Sequence, residues 1–294
     1  MKPDVDLVSV FTFEGQGGNP CPIVVDGQGL APDDMQAVAR RHGHESGFVM
    51  PPASQDYDLG LRFWVPNHEM EMCGHATIGA LWLLASQGAL PGDTVRIETR
   101  SGPVTGFVRH DASNAPSVEI TQPAGRVAAL TAAQTQDVLG VLGIDRHDLL
   151  DLPIQNAVTS RVKTLVPIKD VDRLNALKSD MPAVEAVCNR IGSTGLYPYA
   201  VQERRTQIFE ARQFPRSSGY PEDAATGIAA AALSFGLLAN GLVEATDKPI
   251  TVFQGRAMGA LSAIGVRLGF AGGRAIGCLL GGAVERMERA PWPS

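Results

Sequence analysis

Two stretches of the chain share one pattern, and this pattern constrains the fold more than any other feature. Residues 71–88 and residues 222–241 each begin with a polar turn that contains glycine, continue as an apolar, alanine-rich segment and end at a glycine. This pattern predicts two apolar helices. The first N–H groups of a helix have no acceptor within it, so each turn suits a carboxylate or another anion. Two such turns in one chain indicate one site built from two halves.

The segments around these two stretches follow a similar order. Apolar alternation and short apolar runs predict strands, and apolar residues at helical spacing predict further helices, with a glycine-rich turn at residues 14–20. The predicted strands lie at residues 5–11, 22–25, 59–65, 95–99, 102–109, 117–121, 157–168, 206–214, 250–253, 261–268 and 274–280, and the further helices at 33–42, 131–142 and 182–189. Each half is therefore expected to be one copy of a duplicated α/β unit.

The predicted boundaries follow from a break in the pattern at residues 122–125. We expect an N-terminal half over residues 1–123, a C-terminal half over residues 124–284 and a polar tail over residues 285–294 that frays.

Charge and hydropathy exclude several classes of partner. The net charge is −6, with 25 Lys and Arg against 31 Asp and Glu, so no basic surface is expected for a nucleic acid. The apolar runs fall short of the roughly 20 residues that cross a bilayer, and acids at positions 4 and 6 do not suit a secretion signal. We therefore expect a cytoplasmic protein with neither a nucleic-acid nor a membrane partner.

Metal and redox sites are not encoded by the cysteine spacing. The four cysteines form no Cys-x-x-Cys pair, which leaves neither a local zinc motif nor a redox dithiol. Among the acids, Glu45 lies directly between a predicted helix end and an apolar strand. It is the leading candidate for a functional carboxylate, although a solvated turn glutamate has the same local pattern.

Five motifs, in order along the chain, resemble the PhzF (phenazine biosynthesis-like) family of isomerases. They are residues 13–20, Glu45 before a Phe-Val strand, residues 73–77, residues 222–227, and Gln254 with Gly255 before Met258 and Gly259. The resemblance implies a fold like those of diaminopimelate epimerase and proline racemase: an α/β (α+β) chain with two similar domains, each a curved mixed sheet around a central helix. It also implies a homodimer that uses no metal, flavin or nicotinamide cofactor.

The resemblance also implies which residues catalyse. Glu45 matches the family's catalytic glutamate, and His75 and Asp223 match supporting acid/base residues. A carboxyl group in an apolar cleft can take up and return a proton, because burial disfavours its charged form. As local patterns, His75 also fits a capping or packing histidine and Asp223 an ordinary helix N-cap, a role compatible with catalysis.

Four further residues are implied in substrate binding. Gly74 and Gly227 match glycines whose backbone N–H groups hold the substrate, and Asn19 belongs to the first motif. Ile228 departs from the phenazine enzyme, which has serine there. Because Ile228 offers an N–H but no hydroxyl, we expect a different and less polar substrate.

Cys73 invites comparison with the epimerase relatives, which use a pair of thiols as acid and base. In their register the second thiol falls at Ala224, which has no sulfur. A two-thiol racemase is thereby excluded, and Cys73 is expected to be a packing residue.

The sequence as a whole predicts a cofactor-independent isomerase that acts on a small, anionic, carboxylate-bearing metabolite, cyclic or unsaturated, by proton transfer through Glu45. Two alternatives stay open. One is an epimerase or dehydratase on the same scaffold, and the other is a binding protein that kept the fold without catalysis.

Overall fold

The computed structural model describes residues 3–217, 219–290 and 292. The chain divides into two compact units. The first unit contains the residues up to Thr121 together with those from Gly281 onward, and the second unit is Gln122–Leu280. No helix in the described part of the chain is both long and apolar enough to span a bilayer.

The first unit is a mixed sheet around one buried helix. Its strands pair in the order β18-β1-β2-β3-β4-β6-β7-β8, and β5 pairs with β4. The elements are β1 (Val5–Phe13), β2 (Gln16–Val24), α1 (Pro32–His42), β3 (Ser46–Met50), β4 (Leu59–Trp64), β5 (Glu69–Met70), α2 (Gly74–Ser86), β6 (Thr94–Thr99), β7 (Gly102–His110), β8 (Pro116–Pro123) and β18 (Ala283–Ala290).

The second unit repeats this arrangement. Its strands pair in the order β9-β10-β11-β12-β13-β15-β16, and β14 pairs with β12. The elements are β9 (Arg126–Ala129), α3 (Ala132–Leu142), β10 (Gln155–Val158), β11 (Val162–Pro167), α4 (Val171–Asn175), α5 (Met181–Ile191), β12 (Gly195–Glu203), β13 (Ile208–Ala211), β14 (Phe214–Pro215), α6 (Gly227–Ala239), β15 (Ile250–Gln254), β16 (Ser262–Ala271) and β17 (Arg274–Gly281).

The two units have the same sequence of strand pairings. In the first, β1–β2 is antiparallel, β2–β3 parallel, β3–β4 antiparallel, β4–β6 parallel and β6–β7 antiparallel. In the second, β10–β11, β11–β12, β12–β13, β13–β15 and β15–β16 alternate in the same way. The second parallel connection of each unit contains the central helix, α2 or α6. This agreement supports the duplication inferred from the sequence, and the two halves as separate domains remain a prediction.

The central helices are buried because nearly every side chain on them is apolar. Ten residues of α2 and ten of α6 are buried, and the contacts of each helix come from strands at both ends of its sheet, so each sheet curves around its helix. Glycines allow the closest approach. A Cβ on Gly79 would lie 2.9 Å from Cγ2 of Val8, and one on Gly236 would lie 2.3 Å from Cδ1 of Leu165.

The prediction of a fraying tail over residues 285–294 is wrong for those of its residues that the structure describes. Ala283–Ala290 form β18, which pairs antiparallel with β1 and places Val284 opposite Val10. The polar side chains that suggested a tail are exposed on both faces of this strand from residue 285 to residue 289, whereas Val284 is buried. Pro291, Pro293 and Ser294 of that predicted tail lie outside the described residues.

The structure differs from the local predictions at several other places. The turn predicted through residues 14–20 is confined to Glu14 and Gly15, because Gly17 and Gly18 continue as β2. A Cβ on Gly18 would lie 2.3 Å from Oγ of Ser9, so glycine lets β2 pair closely with β1. Strand β12 was not predicted, since it is buried on both faces and lacks alternation. The short elements α4 and β9 were also missed.

Candidate active site

The N-terminus of α2 presents backbone N–H groups without a side-chain cap. Cys73 is the N-cap residue, with extended backbone angles (φ −139°, ψ 110°), and its side chain accepts no capping hydrogen bond from the helix start. In contrast, α3, α4 and α5 are capped by Thr131, Asp170 and Asp180. The start of α2 therefore keeps the capacity to bind an anion.

Glu45 lies beside this helix start, in contact with two side chains from it. The Sγ of Cys73 donates to Oε2 of Glu45 at 3.4 Å, and Nδ1 of His75 lies 3.3 Å from the same sulfur and 3.5 Å from the same oxygen. The side chain of Glu45 is 33% exposed whereas that of His75 is 8% exposed. The carboxylate is thus open to solvent on one side and held by a thiol and an imidazole on the other.

Burial keeps both neighbours of Glu45 uncharged. It raises the pKa of the Cys73 thiol well above its usual value, and the negative charge of Glu45 raises it further. Burial also lowers the pKa of His75, against the opposing effect of Glu45. Cys73 is therefore a neutral donor to Glu45 and differs from the low-pKa thiols that often lie at helix N-termini.

The backbone of Glu45 is fixed by a second thiol. Sγ of Cys21, on β2, donates to the carbonyl oxygen of Glu45 at 3.0 Å. Glu45 itself lies between α1, which ends at Gly43 in the left-handed conformation, and the buried strand β3. The carboxylate is thus placed by the turn at Gly43, the pairing of β3 with β2 and the Cys21 hydrogen bond.

In the second unit, Asp223 lies just before the N-terminus of α6. The N-cap residue is Thr226, not Asp223 as one reading of the sequence suggested, and its backbone angles (φ −125°, ψ 90°) resemble those of Cys73. The Thr226 hydroxyl donates to Oδ2 of Asp223, so it gives the helix no side-chain cap. The start of α6, like that of α2, is uncapped.

A buried amide holds Asp223 and the start of α6 together. Nε2 of Gln254 donates to the carbonyl oxygen of Asp223 at 2.7 Å and to Oγ1 of Thr226 at 3.1 Å. Its Oε1 accepts from the Tyr197 hydroxyl at 2.9 Å and from the Thr226 N–H at 3.3 Å. Burial raises the pKa of Tyr197, which keeps this hydroxyl a donor. The amide group of Gln254 therefore makes four hydrogen bonds.

A buried ion pair anchors the same loop on its other side. Arg212 donates to both carboxylate oxygens of Glu222, at 2.8 and 2.6 Å, and the two side chains are 7% and 10% exposed. The remaining Arg212 nitrogen donates to three carbonyls at and after the end of α4, at 2.7 to 3.2 Å. A pair so fully hydrogen-bonded restricts the loop that carries Asp223.

The other four predicted site residues lie at the two helix starts and in β2. Gly74 and Gly227 are the first residues of α2 and α6, and Ile228 is the second residue of α6, the position that His75 occupies in α2. Asn19 lies within β2, opposite Val10. In the first unit the structure brings together Glu45, His75 and the start of α2.

Sequence reasoning assigned no catalytic or binding role to three residues that belong to the hydrogen-bond networks of Glu45 in the first unit or of Asp223 in the second. Cys73 was expected to be a packing residue, yet it contacts both Glu45 and His75. Gln254 appeared only as part of a motif, and Tyr197 lies on the strand that was missed. Gly255, next to Gln254, was a usable sequence signal for a close approach of the chain to the segment before α6. A Cβ on Gly255 would lie 2.9 Å from the carbonyl oxygen of Ala224.

Comparison with solved structures identifies the fold. The chain superposes on a PhzF-family protein from Bacillus anthracis with a TM-score of 0.87 at 23% identity, covering 98% of both chains. A protein from Agrobacterium radiobacter K84 described as a probable proline racemase superposes with a TM-score of 0.64 at 13% identity, covering 98% of this chain and 92% of that one. The predicted proline racemase-like α/β fold is therefore confirmed.

Sequence comparison identifies the family. A family model described as phenazine biosynthesis-like protein, PhzC-PhzF, matches residues 8–287. The chain therefore belongs to the PhzF family.

The curated relatives are isomerases. The uncharacterized isomerase YddE of Escherichia coli K12 is 30% identical over 265 residues, which is 88% of each chain. A trans-2,3-dihydro-3-hydroxyanthranilate isomerase of Pseudomonas fluorescens is 26% identical over 254 residues, which is 86% of each chain. The chain is an enzyme of this isomerase family.

Proposed function

We propose that this isomerase moves a proton on a small carboxylate-bearing metabolite, cyclic or unsaturated, and that Glu45 is the group that carries the proton. The carboxylate takes a proton from one carbon of the substrate and returns it to another, so a double bond shifts without a change in oxidation state. The proposed reaction uses no cofactor.

The contacts of Glu45 are the observation that supports this proposal. A base needs one face open to the substrate, and 33% of the Glu45 side chain is exposed. On the other face, Cys73 donates to Oε2 and His75 lies 3.5 Å from it. These neutral neighbours orient the carboxylate, and neither places a second charge beside it.

His75 and Asp223 have supporting roles in this proposal. His75 is buried, and its pKa is lowered, so it acts as a neutral hydrogen-bonding group next to Glu45. Asp223 is held by Thr226 and by Gln254, and we propose that it hydrogen-bonds a polar group of the substrate.

Substrate binding is assigned to the uncapped helix starts and to Asn19. The N–H groups of Gly74 and Gly227 begin the two helices whose N-cap side chains make no capping hydrogen bond. A substrate carboxylate would be stabilised by such groups and by the helix dipole. Ile228 adds an apolar side chain at the start of α6, which favours a substrate that has no hydroxyl group at this position.

The proposal is tested with the Glu45→Gln variant in deuterated water. The first substrate to try is trans-2,3-dihydro-3-hydroxyanthranilate, the compound named for the Pseudomonas fluorescens relative, followed by less polar cyclic carboxylates. We expect the wild type to incorporate solvent deuterium, as measured by NMR, and Glu45→Gln to lose at least about 10²-fold in rate, the usual contribution of a general acid/base.

Glu71→Gln is the matched control. Glu71 lies two residues before the N-cap of α2 and is exposed, so we expect normal exchange in this variant. Full activity of Glu45→Gln would contradict the proposal.

The NMR product analysis also separates the remaining alternatives. Inversion at one carbon would identify an epimerase, and loss of water would identify a dehydratase on the same scaffold. Saturable binding of the carboxylate compound without incorporation of deuterium would identify a binding protein.

Two further predictions concern the protein as a whole. We propose a cytoplasmic location, as charge and hydropathy suggest, and a homodimer, as the family resemblance suggests. Light scattering on the purified chain should give about twice the monomer mass of 31.1 kDa.

A further inference from the structure

We infer that Glu45, Cys73 and His75 also form a binding site for a zinc ion, held by Oε2, Sγ and Nδ1. The three side chains come from one unit and bring together the three kinds of atom that bind zinc in proteins: carboxylate oxygen, thiolate sulfur and imidazole nitrogen. The site goes beyond the proposed proton transfer and depends only on the geometry of the first unit.

The spacing of the three atoms is that of a tetrahedral zinc site. Usual zinc–ligand distances and a tetrahedral angle place such ligand atoms about 3.3 to 3.7 Å apart. Here Sγ lies 3.3 Å from Nδ1 and 3.4 Å from Oε2, and Nδ1 lies 3.5 Å from Oε2. The three atoms therefore lie close enough to share one ion after a small rotation of the imidazole, whose Nε2 is 3.9 Å from the same sulfur.

The chemistry of the three ligands selects zinc over other common ions. Mg²⁺ and Ca²⁺ prefer an all-oxygen set, so the sulfur of Cys73 disfavours them. The carboxylate of Glu45 and the thiolate of Cys73 together balance the two positive charges of Zn²⁺. The thiol proton of Cys73 leaves to solvent as the zinc–sulfur bond forms.

Access and rigidity also suit a metal ion. The exposed part of Glu45 leaves a route to solvent and a fourth coordination position for water. Cys73 and His75 are fixed at the N-cap and the second residue of α2, and the backbone of Glu45 is held by Cys21. A preformed set of this kind binds a metal with little loss of conformational entropy.

The expected consequence is inhibition. Zinc on Oε2 would neutralise the carboxylate that takes up the substrate proton and would separate His75 from Glu45. A zinc ion and a substrate therefore compete for one carboxylate.

The test uses Co²⁺ as a spectroscopic probe on the full chain after treatment with a chelator. A tetrahedral site with one cysteine should give visible cobalt bands and a sulfur-to-cobalt charge-transfer band in the near ultraviolet. We expect one Co²⁺ per chain, displaced by one equivalent of Zn²⁺. Cys73→Ser should remove the charge-transfer band, and Glu45→Gln and His75→Gln should each weaken Co²⁺ binding at least about tenfold.

Cys278→Ser is the matched control, because it removes another buried thiol, one that lies on β17 in the second unit. It should keep the full band and the affinity. The inference is overturned if the wild type shows no such band, or if Cys73→Ser keeps the band. If Cys73→Ser does not fold, unchanged Co²⁺ affinity in both Glu45→Gln and His75→Gln overturns it equally. None of these measurements uses a substrate, so their outcome is independent of the proposed reaction.

Discussion

Single buried polar side chains decide the geometry of the candidate site. Gln254 is completely buried, and its amide group bonds to Tyr197, Asp223 and Thr226. A buried polar group that loses its partner keeps the desolvation cost of burial without a compensating hydrogen bond. The position of Asp223 therefore depends on a residue that touches no reacting atom in the proposed mechanism.

This dependence predicts different effects for two variants. Gln254→Leu leaves the Tyr197 hydroxyl and the Asp223 carbonyl without Gln254, so we expect a loss of at least about 1–3 kcal/mol in the free energy of unfolding. Tyr197→Phe removes only the donor, and Oε1 of Gln254 keeps the Thr226 N–H, so about 1 kcal/mol is expected. Urea titration measures both. An unchanged free energy of unfolding in Gln254→Leu would show that the hydrogen bonds do not stabilise the loop.

At the scale of elements, close contact between helix and strand outweighs helix propensity. Gly79 is in the middle of α2, where propensity alone favours alanine by about 1 kcal/mol. A Cβ there would lie 2.9 Å from Cγ2 of Val8 and 3.3 Å from Cγ2 of Val10, and β-branched side chains cannot easily move aside.

We therefore expect Gly79→Ala to destabilise the protein by about 1–3 kcal/mol, the usual cost of overpacking. Gly140→Ala is the control, because Gly140 is an exposed residue of α3 with no neighbouring atom within 4 Å of the added Cβ. It should stabilise the protein by up to about 1 kcal/mol. Thermal unfolding measures both, and effects of the same sign would show that packing against β1 does not control Gly79.

A second prediction at this scale concerns the ion pair between Asp148 and Arg173, which joins a 3₁₀ turn (Arg146–Asp148) to α4. Two hydrogen bonds, at 2.7 and 3.2 Å, lower the pKa of Asp148 from its ordinary value of 3.8 to about 2. Because the folded value is the lower one, the pair stabilises the protein fully above pH 3.8. This contribution is lost as the pH falls through about 2.

Asp148→Asn should accordingly lower the melting temperature at pH 7, and the difference from the wild type should narrow at pH 3. The control is Asp151→Asn, since Asp151 is exposed and follows the same turn. Its difference from the wild type should be small at both pH values. A constant gap for Asp148→Asn would mean that the carboxylate charge contributes nothing.

At the scale of the whole molecule, the end of the chain completes the first unit. Strand β18 pairs with β1 in the first unit as β9 pairs with β10 in the second. In the second unit the flanking strand comes before the repeat, whereas in the first it comes from the far end of the sequence. The first unit is therefore completed by a strand that follows the whole second unit in the sequence.

Two substitutions in β18 test whether the first unit depends on this strand. Val284 is 8% exposed, and Val284→Asp would bury an unpaired charge, so we expect a loss on the order of 3 kcal/mol. Met287 on the same strand is 54% exposed, and Met287→Asp should change stability by less than about 0.5 kcal/mol. Calorimetry measures the loss of stability, and limited proteolysis of the full chain shows whether cleavage within residues 1–121 increases. Equal stability of the two variants would mean that β18 is dispensable.

Much of the local structure was predictable because it depends on periodicity and on glycine. The central helices, the end of α1 at Gly43 and most strands follow from such patterns. Strand β12 was missed because burial on both faces removes alternation, and β18 was missed because residues 285–289 are all exposed and mostly charged. Both segments are strands because they pair with strands that lie elsewhere in the sequence, and a short stretch of sequence does not contain that information.

The sequence by itself determined the two apolar helices with glycine starts, the duplicated order of elements and the family. These depend on the identity and spacing of neighbouring residues, which are present in the chain before it folds. Only the tertiary structure decided that Cys73 contacts Glu45 and His75, and that Gln254 holds Asp223. The physical reason is that hydrogen-bond partners far apart in sequence, such as Glu45 and Cys73, meet only after sheet pairing and helix burial have fixed the distances between them.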